Sequence, residues 1–170
     1  HGMEDFEIKK GDTLRNPKFL LVDKLETFDC VIANPPFSLE DWGYDSWLGD
    51  KYKRNDFGLA PKKNGDFAWI MHMYKSMKEN SGRMAIVIPN GVLSRGGVES
   101  KLRKALIQDL SIKCIIGLAD NLFYGTGIPA CILLLSKNNY QKKSSHILFI
   151  NAQDIYIKNR SQNTISQSQC

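Results

Sequence analysis

Three features of this 170-residue chain predict an α/β fold. Short β-branched runs bounded by Gly, Pro or Asn alternate with amphipathic helical patterns. The runs are apolar throughout, as in strands covered on both faces. One of them ends in a proline-stiffened turn, and in open α/β sheets ligands bind beside the carboxyl ends of strands.

Taken along the chain, buried strands are expected at residues 29–33, 84–88, 112–117 and 130–136, with a further one at 146–151 and a short one at 6–8. Asp66 stands as N-cap to a helix carrying Phe67, Ile70, Met71, Tyr74 and Met77 on one face, which Asn80-Ser81-Gly82 ends. A second helix at about 99–109 turns Leu102, Leu106 and Leu110 inward. Strand, helix, strand, helix, strand is the grammar of a mostly parallel sheet. The strands at 112–117 and 130–136, joined through a Gly-rich loop at 125–129, read as an antiparallel hairpin at one edge. Gly125-Thr126-Gly127 is not a phosphate loop, because a strand rather than a helix follows it.

Residues 38–65 show neither period, and loops of that length are usually functional. Trp42, Trp47, Tyr44, Tyr52 and Phe57 are interleaved there with Lys51, Lys53, Arg54, Lys62 and Lys63. Aromatic faces beside cations suit unstacked bases and phosphates, and this reading is placed ahead of a loop that packs its own aromatics.

Composition narrows the class. The chain is 42% hydrophobic and 24% charged, ordinary for a globular protein. No run approaches the roughly 18 apolar residues of a membrane span, and the N-terminus lacks the pattern of a signal peptide. A cytoplasmic, nucleoid-associated protein without a membrane partner is expected. Net charge is +5, spread along the length, which is compatible with a polyanionic partner. Cys30, Cys114 and Cys131 sit in apolar runs and read as small hydrophobes; with Cys170 they form no metal-ligand spacing.

The chemistry is carried by Asn34-Pro35-Pro36-Phe37, at the end of the strand at 29–33. Pro35 and Pro36 fix φ and remove two backbone donors, and Asn34 is pushed out of the helical region. The turn therefore presents acceptors: the Asn34 side-chain oxygen and main-chain carbonyls. An exocyclic amine attacking a methyl donor turns positive in the transition state, and fixed acceptors stabilise that charge. No strong base is needed, since the alkylated nitrogen sheds a proton afterwards. Phe37 offers a face to a flipped base, a contact worth on the order of 1–3 kcal/mol.

Here the chain resembles the amino-methyltransferases whose signature is Asn/Asp-Pro-Pro-aromatic, and specifically the modification subunits of type I restriction–modification systems. The likeness covers nearly the whole chain. Gly11-Asp12-Thr13-Leu14, the Asn34 motif, Gly65-Asp66-Phe67-Ala68-Trp69, the stretch from Gly82 to Leu93, and Asn121-Leu122-Phe123-Tyr124-Gly125-Thr126-Gly127-Ile128-Pro129 occur in that order.

The resemblance implies part of a Rossmann-like class I sheet that uses S-adenosyl-L-methionine and methylates adenine N6 in double-stranded DNA, working with specificity and restriction subunits. Asn34 and Pro35 would hold the target N6, Pro36 would stiffen the turn, and Phe37 would stack on the base. Phe123 would be a second aromatic against it, or hairpin core. Asp12 would accept from the cofactor's adenine amino group; by itself it reads as a turn aspartate.

Residues 1–160 would be the C-terminal part of the catalytic domain, and 161–170 a polar tail or the start of a next segment. Such subunits carry a glycine-rich cofactor loop and an acidic ribose ligand further upstream, and neither is matched before Asp12. The chain is thus expected to be a piece that binds cofactor poorly and is inactive alone. His1-Gly2-Met3 reads as either a cloning remnant or a native His-Gly pair. Methylation of protein glutamine or RNA, or a non-catalytic module that binds DNA or a partner, are the competing readings.

Overall fold

A computed structural model describes residues 4–124, 126–137 and 146–166 of the chain. His1-Gly2-Met3, Gly125 and Cys170, read above from the sequence, lie outside the described residues. The chain forms β1 (Leu20–Leu21), β2 (Lys24–Leu25), β3 (Cys30–Ala33), α1 (Tyr44–Trp47), α2 (Asp66–Lys75), β4 (Arg83–Pro89), α3 (Gly91–Ser94), α4 (Val98–Gln108), β5 (Ile112–Leu118), β6 (Ala130–Ser136) and β7 (Leu148–Ala152).

The expected α/β fold is present. The main sheet has the order β3-β4-β6-β5-β7, and β1 and β2 make a separate small hairpin. β3 runs parallel to β4 and β5 parallel to β7, while β6 is antiparallel to both its neighbours, so four of the five strands point one way. β5 and β6 pair antiparallel as expected, but β7 takes the margin beyond β5 and leaves that pair inside the sheet.

Burial explains why the central elements form. Met84, Ile86 and Ile88 of β4 and Leu133 and Leu135 of β6 are buried together with Phe67, Ile70 and Met71 of α2 and Leu102 and Leu106 of α4. Fully burying each such side chain contributes roughly 1.5–3 kcal/mol.

α2 stops at Lys75, short of the predicted end. Residues beyond it are drawn into strand-like pairing: Phe28 N–H donates to the Ser76 carbonyl and Lys78 N–H to the Phe28 carbonyl. The chain then turns tightly at Gly82, where a Cβ would stand 2.6 Å from the Lys78 carbonyl oxygen. Only glycine fits that approach.

Three expectations fail here. Residues 6–8 are not a strand; Phe6 and Ile8 are exposed, and no described strand lies alongside to pair with them. β3 is not a buried strand: among the described residues its one neighbour is β4, and Ile32 is 75% exposed. Cys30 is consequently exposed, while Cys114 and Cys131 are buried as expected. Burial pushes the Cys131 thiol up to about 11.

The loop at 38–65 also differs from its reading. Trp42, Trp47 and Arg54 are interior. The Arg54 guanidinium lies 4.2 Å from the Trp47 ring centroid, pairs with both Asp50 oxygens, and reaches the Thr13 carbonyl. Trp42 and Trp47 donate their indole N–H groups to the carbonyls of Pro61 and Leu14. The loop thus packs its own aromatics; Lys51, Lys53, Lys62 and Lys63 remain on its surface.

Candidate active site

Because β3, β4 and β5 run in one direction and β6 returns, the ends of the first three and the start of β6 share one rim of the sheet. The Asn34 turn leaves β3 at that rim, one residue after Ala33 pairs opposite Ile86. The segment between β5 and β6 leaves at the same rim and crosses back over it, bringing Phe123 to Phe37. Their ring centroids are 6.0 Å apart at 73°, an edge-to-face contact.

Asn34, Pro35, Pro36 and Phe37 on one wall and Phe123, Tyr124, Thr126 and Ile128 on the other enclose a hollow of about 320 Å³. That size lies within the range of small-molecule sites. Asn34 and Pro36 are exposed and Phe37 half-buried, so the turn faces solvent rather than the core. Tyr124 is 94% exposed at the rim of the hollow.

The far side of the turn is held by α2. Ser38, in the left-handed region at φ 51°, donates its N–H to Asp66 Oδ1 at 2.7 Å. Asp66 is the first residue of α2 rather than its cap; Gly65 takes the cap position, and Asn64 Oδ1 accepts the Asp66 N–H. Asp66 Oδ2 receives Arg95 Nη2 at 2.6 Å, and Arg95 also forks onto both oxygens of Glu99. The Glu99 hydrogen bond, with that from Asp66, holds Arg95 protonated above its ordinary range despite the opposing effect of burial. Sequence reasoning missed this cluster: the i,i+4 spacing of Arg95 and Glu99 was a local clue to their pairing, but Asp66 lies 29 positions before Arg95.

Asp12 does not line the hollow. It folds a turn instead: Oδ1 accepts the N–H groups of Leu14 and Arg15, and Oδ2 accepts Arg15 Nη1 at 2.8 Å. Partial burial alone would raise its pKa, but the bonds from Arg15 and Leu14 prevail and hold the carboxyl below its usual value. Arg15 continues to the Asp41 carbonyl and carboxylate, tying this turn to the loop that follows Phe37. A cofactor amino group at Asp12 would share Oδ2 with Arg15.

Residues 161–163, at the start of the stretch read as a polar tail or the start of a next segment, brace the second wall. Gln162 Nε2 donates to the Leu122 carbonyl at 2.7 Å, and Asn163 donates to the carbonyls of Asn121 and Asp120. Among the described residues no group of His, Cys, Asp and Glu could hold a metal ion, and no helix is long and apolar enough to cross a membrane.

A sequence profile described as N-6 DNA Methylase matches residues 1–170. The chain is 36% identical over 160 residues to the type I restriction enzyme MjaVII methylase subunit of Methanocaldococcus jannaschii, covering 89% of this chain and 26% of that protein. It is 35% identical to the HindI methylase subunit of Haemophilus influenzae, covering 92% of this chain and 34% of that one.

The crystal structure of a type I restriction–modification methyltransferase subunit from Streptococcus thermophilus superposes with a TM-score of 0.73 at 36% identity, over 84% of this chain and 30% of that one. The chain thus spans about a quarter to a third of the relatives it matches. The chain belongs to the N-6 DNA methylase family.

Proposed function

We propose that this chain supplies the target-base side of an adenine-N6 DNA methyltransferase, the methylase subunit of a type I restriction–modification system. The observation that carries the reading is the hollow itself: Asn34, Pro35 and Phe37 meet Phe123 across about 320 Å³ at the carboxyl end of a strand. A flipped adenine enters with its ring against Phe37 and Phe123. Asn34 Oδ1 and the Pro35 carbonyl accept the two N6 hydrogens and turn the nitrogen lone pair outward. As positive charge grows on N6, the same oxygens stabilise it, and the proton leaves to solvent after transfer.

S-adenosyl-L-methionine, when bound, supplies the methyl group. In this reading Asp12 accepts from its amino group, sharing Oδ2 with Arg15. DNA reading and cleavage are assigned to separate specificity and restriction subunits.

The test is methyl transfer to duplex DNA by the methylase carrying this chain, read by mass spectrometry of the nucleosides. N6-methyladenine is expected, and Asn34→Ala should lower the rate by roughly 100- to 1,000-fold, the scale seen when a preorganised polar partner of the transition state is removed. Unchanged activity in Asn34→Ala, or methylation of peptide glutamine or RNA in place of DNA, would overturn the reading.

A further inference from the structure

The turn that holds the base needs an anchor at each end. At the first, Ala33 is in register with Ile86 of β4. The prolines that follow donate nothing to the backbone network. At the other end stands Ser38, a residue with a Cβ in the left-handed conformation at φ 51°. Such a conformation persists where the surroundings over-determine it. The surrounding group here is the Asp66 carboxylate, 2% exposed, which takes the Ser38 N–H on one oxygen and Arg95 on the other. Glu99, also buried, receives the rest of the Arg95 fork. Asp66 opens α2 and Glu99 lies in the first turn of α4, so each carboxylate meets the positive end of a helix dipole.

A carboxylate is required at position 66 because donors arrive from two sides. An amide there has one acceptor oxygen and satisfies one of them. The bond to Ser38 is charge-assisted and partly buried, which makes it stiffer than a neutral surface hydrogen bond.

We propose that Asp66, backed by Arg95 and Glu99, is a positioning residue for methyl transfer: it locks Ser38 in the left-handed conformation and so aims Asn34 and Phe37 into the hollow. The proposal rests on the catalytic reading of Asn34 given above. It assigns to two buried carboxylates bridged by a half-buried arginine the precision that the turn requires, because a displacement of about 1 Å in a catalytic group can cost on the order of 100-fold in rate.

The test uses the complete methylase, saturating S-adenosyl-L-methionine and duplex DNA. Asp66→Ala is expected to lower kcat by roughly 10- to 100-fold while KM for DNA changes by less than about threefold. Asp66→Asn, which keeps the packing volume, should lower kcat in the same direction. Adding Ser38→Gly to either variant should recover part of the lost kcat, because glycine takes a positive φ without a restraining bond.

Normal kcat in a folded Asp66→Asn enzyme, or a loss that Ser38→Gly does not recover, would sink the positioning role. Asn34→Ala in the same assay separates the two layers. If it too retains methyl transfer, the catalytic reading fails; if it abolishes transfer while Asp66→Asn does not impair it, only the positioning role fails.

Discussion

The two walls of the hollow are built in opposite ways. The Asn34 wall is gripped by β3 on one side and, on the other, by the buried Asp66 and Glu99 carboxylates that half-buried Arg95 bridges. The Phe123 wall hangs between β5 and β6 and is braced by amide side chains and backbone near the end of the described chain, through partly exposed neutral hydrogen bonds. Neutral bonds contribute about 0.5–1.5 kcal/mol each, whereas bonds to charged groups contribute about 1.5–3 kcal/mol. On the reading proposed above, the more firmly bonded wall carries the acceptors and the more weakly bonded wall carries the second ring.

That contrast can be broken most directly at the two rings. Phe37→Ala is expected to lower kcat/KM for methyl transfer by roughly 10- to 100-fold, the scale of one lost base stack on a rigid platform. Phe123→Ala should cost less, about 3- to 10-fold, because its loop can offer other apolar surface to the base. Steady-state kinetics of the two variants side by side decide the matter; a larger loss in Phe123→Ala would reverse the assignment.

A smaller effect should distinguish the walls by pH. The loop that runs on from Phe37 contains Arg54, whose guanidinium is 3.3 Å from His72 Nδ1. Burial first, and Arg54 second, push the His72 pKa from its ordinary 6.5 down to about 4. The unfolded chain therefore takes up a proton between these values that the folded chain refuses. Stability is full above pH 6.5 and is lost as pH falls toward 4, by on the order of 1–2 kcal/mol at pH 5. Urea unfolding followed by the emission of Trp42 and Trp47, which lie in this loop, should show the fall, and His72→Gln should flatten it.

The smallest effect belongs to the brace. Gln162→Ala and Asn163→Ala are expected to raise KM for DNA by about two- to fivefold with little change in kcat, as partly exposed neutral bonds allow. A kcat loss as large as that of Asp66→Ala would show the second wall to be as stiff as the first.

How much of this could be read without coordinates follows from burial. β4 and β6 are covered by helices and neighbouring strands, so their sequences are near-continuous apolar runs; the predicted 130–136 matches β6, and β4 extends the predicted 84–88 by one residue at each end. The Asn34 turn was legible because consecutive prolines restrict the backbone wherever they occur.

The loop at 38–65 misled, since alternating aromatics and cations look alike whether they face a nucleic acid or each other. The i,i+4 spacing of Asp50 and Arg54, which pair inside it, was the available clue. Asp66 was recognised as a helix-opening residue, but its partner Arg95 lies 29 positions away and nothing local announces the pairing. Residues 161–170 were read as a polar tail or the start of a next segment, and polar composition cannot reveal which carbonyls Gln162 and Asn163 meet.

β3 has a consequence for handling the molecule. Among the described residues its only neighbour is β4, and Ile32 projects from it 75% exposed. A marginal strand with an unclaimed backbone row is adhesive toward any extended peptide, including another copy of the same chain. Purified at high concentration, the polypeptide should self-associate through this seam. Concentration then becomes a variable that every binding measurement on it has to control.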